Sequence, residues 1–284
     1  MKTQEQLIQW YPGHMKKADR QIREKIKLID VVVEVLDARV PYASRNPEIQ
    51  DYCRGRQHVI VLNKADLADP EMTAQWERKF LDEGADAVIS YTAVDSGQRK
   101  RLAQVIRSCN PKDKKELRCL IAGIPNAGKS TIINSLVGKK KTQIGNKPGV
   151  TKGQQWLQAP ESLALLDTPG ILWPKFEDQE AANHLAWIGS IKDTLLEKEN
   201  IAGDLMNFLI QNYPENLEEQ YGITVDPDQP AWMAFDAVAE KRGLLVKGGE
   251  YDYRRTSELL LNDFKNGRIG RITIDRPEDH GETA

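Results

Sequence analysis

The chain has 284 residues, a formal net charge of −2 and 40% hydrophobic residues, enough length for a large domain with its own core plus a smaller one. No run reaches the roughly eighteen apolar residues that a membrane-spanning helix requires, so no such helix is expected. Cys53, Cys109 and Cys119 are odd in number, far apart and outside any C-x-x-C pair, which argues against a disulfide framework, a metal site or thiol redox chemistry.

The polar opening Met1 to Gln6 lacks the apolar core of a secretory signal, and a cytoplasmic protein is expected. Trp10-Tyr11-Pro12-Gly13-His14-Met15 is aromatic and turn-forming, and it leads into a basic helix over 16–28 with Ile22, Ile26 and Ile29 on one face. Short β-branched or apolar runs then predict strands at 31–36, 58–62, 87–90, 117–122, 155–157 and 163–166. Helices are predicted between them at 47–53, 69–83, 98–108 and 130–137, with a Gly/Lys-rich loop over 138–153. This alternation argues an α/β fold with a mostly parallel sheet covered on both faces. From residue 176 the period becomes helical: 178–191, 194–212 with Asp193 as N-cap and Pro214 as stop, 231–241 before Gly243, and 251–265 before Gly267. Two domains follow, 1–175 and a small all-helical 176–284, joined through Trp173-Pro174-Lys175-Phe176.

The near-zero total charge hides an asymmetry. Residues 1–175 hold 29 Lys and Arg against 20 Asp and Glu, a net of +9, whereas 176–284 hold 11 against 22, a net of −11. The stretch 99–152 is densest, with 14 cations facing only Asp113 and Glu116. One lysine serves a nucleotide's phosphates, so the surplus suits a polyanion such as RNA; a solvated basic face without a partner is the alternative.

Gly123-Ile124-Pro125-Asn126-Ala127-Gly128-Lys129-Ser130 fits the phosphate loop G-x-x-x-x-G-K-[ST], after a strand and before a helix as that motif requires. Asn126, Ala127, Gly128, Lys129, Ser130 and Thr131 form its nucleotide-binding set: backbone N–H groups curl around phosphate oxygens, Lys129 neutralises the outer phosphates and the Ser130 hydroxyl ligates Mg²⁺. Asn63-Lys64-Ala65-Asp66 fits N-K-x-D at the carboxyl end of a strand. The Asp66 carboxylate can accept from the ring N–H and exocyclic amine of guanine, a donor pair that adenine lacks. The Asn63 amide can reach base acceptors, and Lys64 can lie along the ring. In Tyr91-Thr92-Ala93, a looser match, Thr92 and Ala93 can offer a backbone N–H to the guanine oxygen. In Asp167-Thr168-Pro169-Gly170, Asp167 can reach Mg²⁺ through water and the Gly170 N–H can approach the terminal phosphate, while Thr151 of Pro148-Gly149-Val150-Thr151 can complete the Mg²⁺ shell. Loops ordered by a terminal phosphate and released on hydrolysis make a switch.

The base-reading elements precede the phosphate elements, an unusual order. With that order, the Trp10–Met15 segment, Asp37-Ala38-Arg39-Val40-Pro41 and a helical C-terminal stretch, the chain resembles the YlqF/RbgA family of circularly permuted ribosome biogenesis GTPases over nearly its whole length. The resemblance implies a P-loop GTPase domain that binds GTP and GDP and assists late assembly of the large ribosomal subunit, with that subunit and its rRNA as partners. It also implies a C-terminal domain similar to helical RNA-binding ANTAR domains. The acidity of that half leaves only a local patch such as Arg254, Arg255, Lys265, Arg268 and Arg271 for RNA. Permutation puts the chain ends just after the Asp167 loop, so the N-terminal helix and the C-terminal domain attach near the switch.

The residue after D-x-x-G, a water-orienting Gln in Ras-like enzymes, is Ile171. An apolar side chain cannot hold water, so slow hydrolysis alone or a recruited group is expected. His14 is the candidate, as the resemblance also indicates: permutation brings its segment near the switch, and a neutral imidazole can accept from water. Packing or RNA contact is the other reading of His14, and a partner can also place the water. Asn126 can ligate K⁺, as in related GTPases, or make a loop-shaping hydrogen bond. The catalytic set expected is therefore His14, Lys129 and Gly170, in a cytoplasmic, monomeric, Mg²⁺-dependent GTPase stimulated by the ribosomal particle. The alternatives are a GTP-gated RNA-binding scaffold with negligible turnover and an adenine-specific phosphotransferase, against which Asp66 argues.

Overall fold

The computed structural model describes residues 11–92, 95, 97–138, 155–174, 176 and 178–280. Among them six strands form one sheet: β1 (Val31–Asp37), β2 (Gln57–Asn63), β3 (Ala87–Tyr91), β4 (Leu117–Ala122), β5 (Gln155–Ala159) and β6 (Leu163–Asp167), in the order β3-β2-β1-β4-β6-β5. Every neighbouring pair is parallel except β5 with β6. β1 is buried at all seven residues because it is central and covered on both faces, which explains why its sequence does not alternate. Of its two acids, Glu34 in mid-strand is fully buried and bonded to His58 Nε2 of β2 at 2.9 Å.

Among the described residues five helices belong to this half: α1 (Gly13–Lys25), α2 (Pro47–Cys53), α3 (Pro70–Asp82), α4 (Gln98–Ser108) and α5 (Lys129–Val137). Asn46 and Asp69 cap the first amides of α2 and α3, each followed by Pro where a missing N–H costs nothing. α3 lays Trp76 and Phe80 on Leu36, Ala38, Ile60 and Leu62. The opposite side joins Leu102 and Ile106 of α4 and Ile132 and Leu136 of α5 to a cluster that runs on into the C-terminal helices. α1 both starts and ends three residues earlier than the predicted 16–28. A 3₁₀ turn over Ile26–Leu28 follows Lys25, and Ile29 is extended and buried from outside the helix.

Sheet order reverses between β1 and β4, so the loops after these two strands flank the crevice at the carboxyl edge where open α/β sheets take ligands. This places the Asp37 loop beside Gly123–Gly128.

The C-terminal stretch holds α6 (Gln179–Trp187), α7 (Lys198–Asn212), α8 (Pro214–Tyr221), α9 (Ala231–Arg242) and α10 (Tyr253–Lys265). Three details differ from the sequence reading. α6 ends before Gly189, whose φ of +76° breaks the helical path. Asp193 opens a 3₁₀ turn, and α7 starts after Glu197. Pro214 ends α7 but is also the first residue of α8, a helix the pattern did not suggest. No helix among the described residues is long and apolar enough to cross a membrane.

After α10 the chain returns to the sheet as a strap. Ile272 N–H donates to Leu67 O at 3.0 Å and Ile274 N–H to Arg39 O at 2.7 Å. Asp275, 2% exposed, gathers three elements: its carboxylate accepts from Ala43 N–H at 2.8 Å and from His184 Nδ1 at 2.7 Å, and its carbonyl from Trp76 Nε1 at 2.9 Å. Beyond it His280 stacks on Tyr42 with ring centroids 3.5 Å apart. Asp275→Ala leaves a buried amide and an imidazole without their acceptor, so thermal or urea unfolding should show a loss of about 3 kcal/mol with native circular dichroism retained. An unchanged midpoint would mean that another contact holds the strap.

Candidate nucleotide-binding site

The turn between β4 and α5 has its carbonyl oxygens tied from outside. Gly123 O accepts from Ile171 N–H at 3.2 Å, Ile124 O from Lys129 Nζ at 2.6 Å, Pro125 O from Ser190 Oγ at 2.7 Å and Ala127 O from Asn63 Nδ2 at 2.7 Å. In a planar trans peptide the next N–H points opposite to the carbonyl, so the amides of Ile124, Asn126 and Gly128 face away from those donors, as in an anion-binding nest. Asn126 takes φ +61° and Gly128 φ +98°, left-handed values that Asn and Gly adopt most easily. A Cβ at Gly128 would lie 2.1 Å from Asn63 Nδ2, so glycine there is what admits the link between the phosphate loop and the N-K-x-D loop. Ser130 and Thr131 follow in the first turn of α5, half-buried.

Two opposite charges sit under this loop. Lys129 is 6% exposed and Asp167 is fully buried; among the described residues neither Asp167 oxygen has a hydrogen-bond partner of good geometry, although the Gln155 side chain and the Thr168 backbone lie near enough to ease its charge. Burial pushes the Asp167 carboxyl up to about 6 although Lys129 opposes the rise. Burial likewise pushes Lys129 down to about 8, with Asp167 resisting and Lys64 adding to the fall. A buried carboxylate without well-placed donors suits a hydrated divalent cation, and a buried lysine beside an amide nest suits phosphate. The Asp167 loop is stitched to the phosphate loop. Thr168 Oγ1 donates to Ile121 O at 2.8 Å, and a Cβ on Gly170 would meet Pro125 Cα at 2.7 Å. Ile171 is fully buried, with Asn46 Nδ2 on its carbonyl at 3.1 Å; its side chain belongs to the core and cannot orient a water.

The N-K-x-D loop differs in part from the sequence reading. Asn63 commits Nδ2 to Ala127 O, joining the two motifs, and its buried Oδ1 has no partner. Lys64, at φ +61°, bonds Asp37 Oδ2 through Nζ at 2.8 Å, so only its stem is left to lie along a ring. Asp66 is exposed at the rim. Thr92 N–H already donates to Gln98 Oε1 at 3.0 Å and therefore does not offer itself to a base; Ala93, the other half of that expectation, lies outside the described residues, as do Trp10 and Thr151.

His14 is exposed at the start of α1, beside Met15, whose Sδ accepts from Leu172 N–H at 3.5 Å. The first turn of α1 thus touches the chain two residues past Gly170. Asn126 donates from Nδ2 to Gly189 O at 2.6 Å, the loop-shaping bond that was one of its two readings.

Several residues of the site were invisible to motif reading because they act by tertiary contact. Gly189 and Ser190, just after α6, hold the phosphate loop. Arg271 donates to Ala65 O at 3.1 Å and Ala68 O at 2.9 Å, and Thr273 Oγ1 accepts from Asp69 N–H at 3.0 Å, so the strap carries the N-K-x-D loop. Arg271 remains exposed, and its guanidinium ties the proposed basic patch to the N-K-x-D loop. Arg268, bonded to Asp263 at 3.0 Å, is partly neutralised.

The raised carboxyl has a measurable consequence for the nucleotide-free protein. Native Asp167 keeps its proton up to about pH 6, whereas the unfolded chain releases it near about pH 4, so stability falls as pH rises through that window. Asp167→Asn should raise stability by about 2 kcal/mol at neutral pH, with the gain shrinking as the pH approaches 4. Urea unfolding at both pH values reads this, and a destabilised neutral-pH variant would contradict it.

A family model described as 50S ribosome-binding GTPase matches residues 118–234. The ribosome biogenesis GTPase A of Bacillus cereus is 43% identical, covering 97% of this chain and 96% of its own. Among solved structures, the GDP-bound TM YlqF superposes with a TM-score of 0.70 at 33% identity, over 92% of this chain and 100% of that one. GNP-bound YlqF from T. maritima gives 0.68 at 33%, over 92% and 99%. The permuted motifs gathered at one sheet edge, matched end to end by these relatives, make the chain a GTPase of the ribosome biogenesis GTPase A (YlqF/RbgA) family.

Proposed function

We propose that this GTPase acts in late assembly of the large ribosomal subunit, hydrolysing GTP to GDP and phosphate when the particle stimulates it. The observation that carries this reading is the near-complete likeness to a ribosome biogenesis GTPase, on a chain whose residues 1–175 bear a net charge of +9 suited to rRNA. Residues 1–175 act as the nucleotide domain and 176–284 as the ribosome-contacting one, in a cytoplasmic monomer.

In this reading Asn63, the Lys64 stem and Asp66 take the guanine, while the nest, Lys129, Ser130 and Thr131 take the phosphates. Ser130 and Asp167 would hold Mg²⁺ together with Thr151, which lies outside the described residues; the cation would offset the charge of the phosphates. The buried carboxylate of Asp167, without well-placed donors, fits that role. The Gly170 N–H supports the terminal phosphate. Because Ile171 is buried, the attacking water needs another acceptor, and His14, one residue from the Met15 contact to Leu172, is the candidate to supply it. Asn126 keeps Nδ2 on Gly189, and its Oδ1 is the atom that would meet K⁺.

The burial of Ile171 also favours a second reading, a GTP-gated RNA-binding scaffold with negligible turnover. GTP turnover of the purified chain in K⁺ buffer, with and without large subunits, separates the two. Subunits should stimulate wild type by about tenfold or more, and His14→Ala should abolish that stimulation while nucleotide and subunit binding persist. Stimulation that survives the substitution removes His14 from the mechanism. No stimulation of the wild type favours the scaffold.

A further inference from the structure

Asp37 stands outside the nucleotide motifs, yet it is the anchor for one of them. At the carboxyl end of β1 it is fully buried, and its two oxygens meet two cations. Oδ1 accepts from Arg39 Nε at 2.9 Å and from Arg39 N–H at 3.1 Å; Oδ2 accepts from Arg39 Nη2 at 2.9 Å and from Lys64 Nζ at 2.8 Å. Arg39, 1% exposed, turns Nη1 the other way, to Phe264 O at 3.0 Å and Lys265 O at 3.2 Å, the last carbonyls of α10. A guanidinium alone among side chains can fork around a carboxylate and cap a helix end together.

Lys64 lies in left-handed backbone, and a lysine stem has many rotamers, so nothing intrinsic directs it along a base edge. Its ammonium is fixed at one point, and that point is Asp37. We propose that Asp37 is a positioning residue for guanine recognition: by holding Lys64 Nζ it sets the stem of Lys64 beside the base, while Arg39 holds Asp37 in place and ties it to the end of α10. This rests on the reading that Asn63–Asp66 takes the guanine. The two cations outweigh the burial cost and hold the Asp37 carboxyl well below the usual range, so it stays charged wherever the protein is folded.

The test is a double-mutant cycle on the full chain, read by binding of fluorescent N-methylanthraniloyl-GDP and by GTP turnover. Asp37→Asn can keep one oxygen on Arg39, but its amide turns N–H groups toward Lys64 and releases it. The dissociation constant and KM should each rise by about tenfold while kcat at saturating GTP changes by less than about threefold, because the phosphate machinery is untouched. Lys64→Met keeps the stem but loses the anchor and should give a similar rise. The double variant should be no worse than either single one. Asp66→Ala is run alongside: if it leaves GDP affinity intact, the guanine reading itself fails, whatever Asp37 does. With that control behaving, an unchanged dissociation constant in Asp37→Asn, additive losses in the double variant, or an equal loss of kcat and kcat/KM overturns the proposal. Should Asp37→Asn not fold, Lys64→Met alone decides: weakened GDP binding at an unchanged melting temperature supports it, and unchanged binding overturns it.

Discussion

A carboxylate buried in the centre of a protein must be neutralised by partners already in place, and Asp37 at the end of β1 imposes that constraint here. Its partners come from three parts of the chain: Arg39 from its own loop, Lys64 from the loop after β2, and through Arg39 the carbonyls of Phe264 and Lys265. Removing any one leaves charge or carbonyls unpaired in a medium where that is costly. The sheet, the N-K-x-D loop and the C-terminal helices are therefore held in register by one charge. The strap then adds Arg271, Ile272 and Thr273 on the same loop from the far end of the sequence.

The phosphate side is built on the opposite principle. Among the described residues Asp167 has no hydrogen-bond partner of good geometry, and Lys129 bonds the Ile124 carbonyl within the carboxylate's field. Both titrate away from their ordinary values because burial penalises their charges. Such an arrangement lowers stability in exchange for a site electrostatically complementary to phosphate and a cation. The contrast between a satisfied Asp37 and an unsatisfied Asp167, each at the carboxyl end of a strand, separates the brace from the reactive centre.

Much of this was legible from residues alone. β-branched runs gave the strands to within a residue or two at their ends, and Gly128, Lys129, Asn63 and Asp167 could be placed at one sheet edge because each motif follows a strand in an alternating pattern. The helix from 98 to 108 and the strand from 117 to 122 agree with the structure at both ends. What the sequence hid has one cause, long-range contact. Nothing local says that Ser190 bonds Pro125, that Arg271 serves the N-K-x-D loop, or that Gln98 occupies the Thr92 amide. Pro214 misled for a local reason, since the residue that ends one helix is also suited to begin another.

The strap braces the N-K-x-D loop, so nucleotide binding there should be felt some two hundred residues along the chain. Amide hydrogen exchange on the full chain, with and without saturating GDP, tests it most directly. GDP should slow exchange at 123–131 and 63–69 and also at 268–275. Protection confined to the two nucleotide loops, with exchange in 268–275 unchanged, would contradict it.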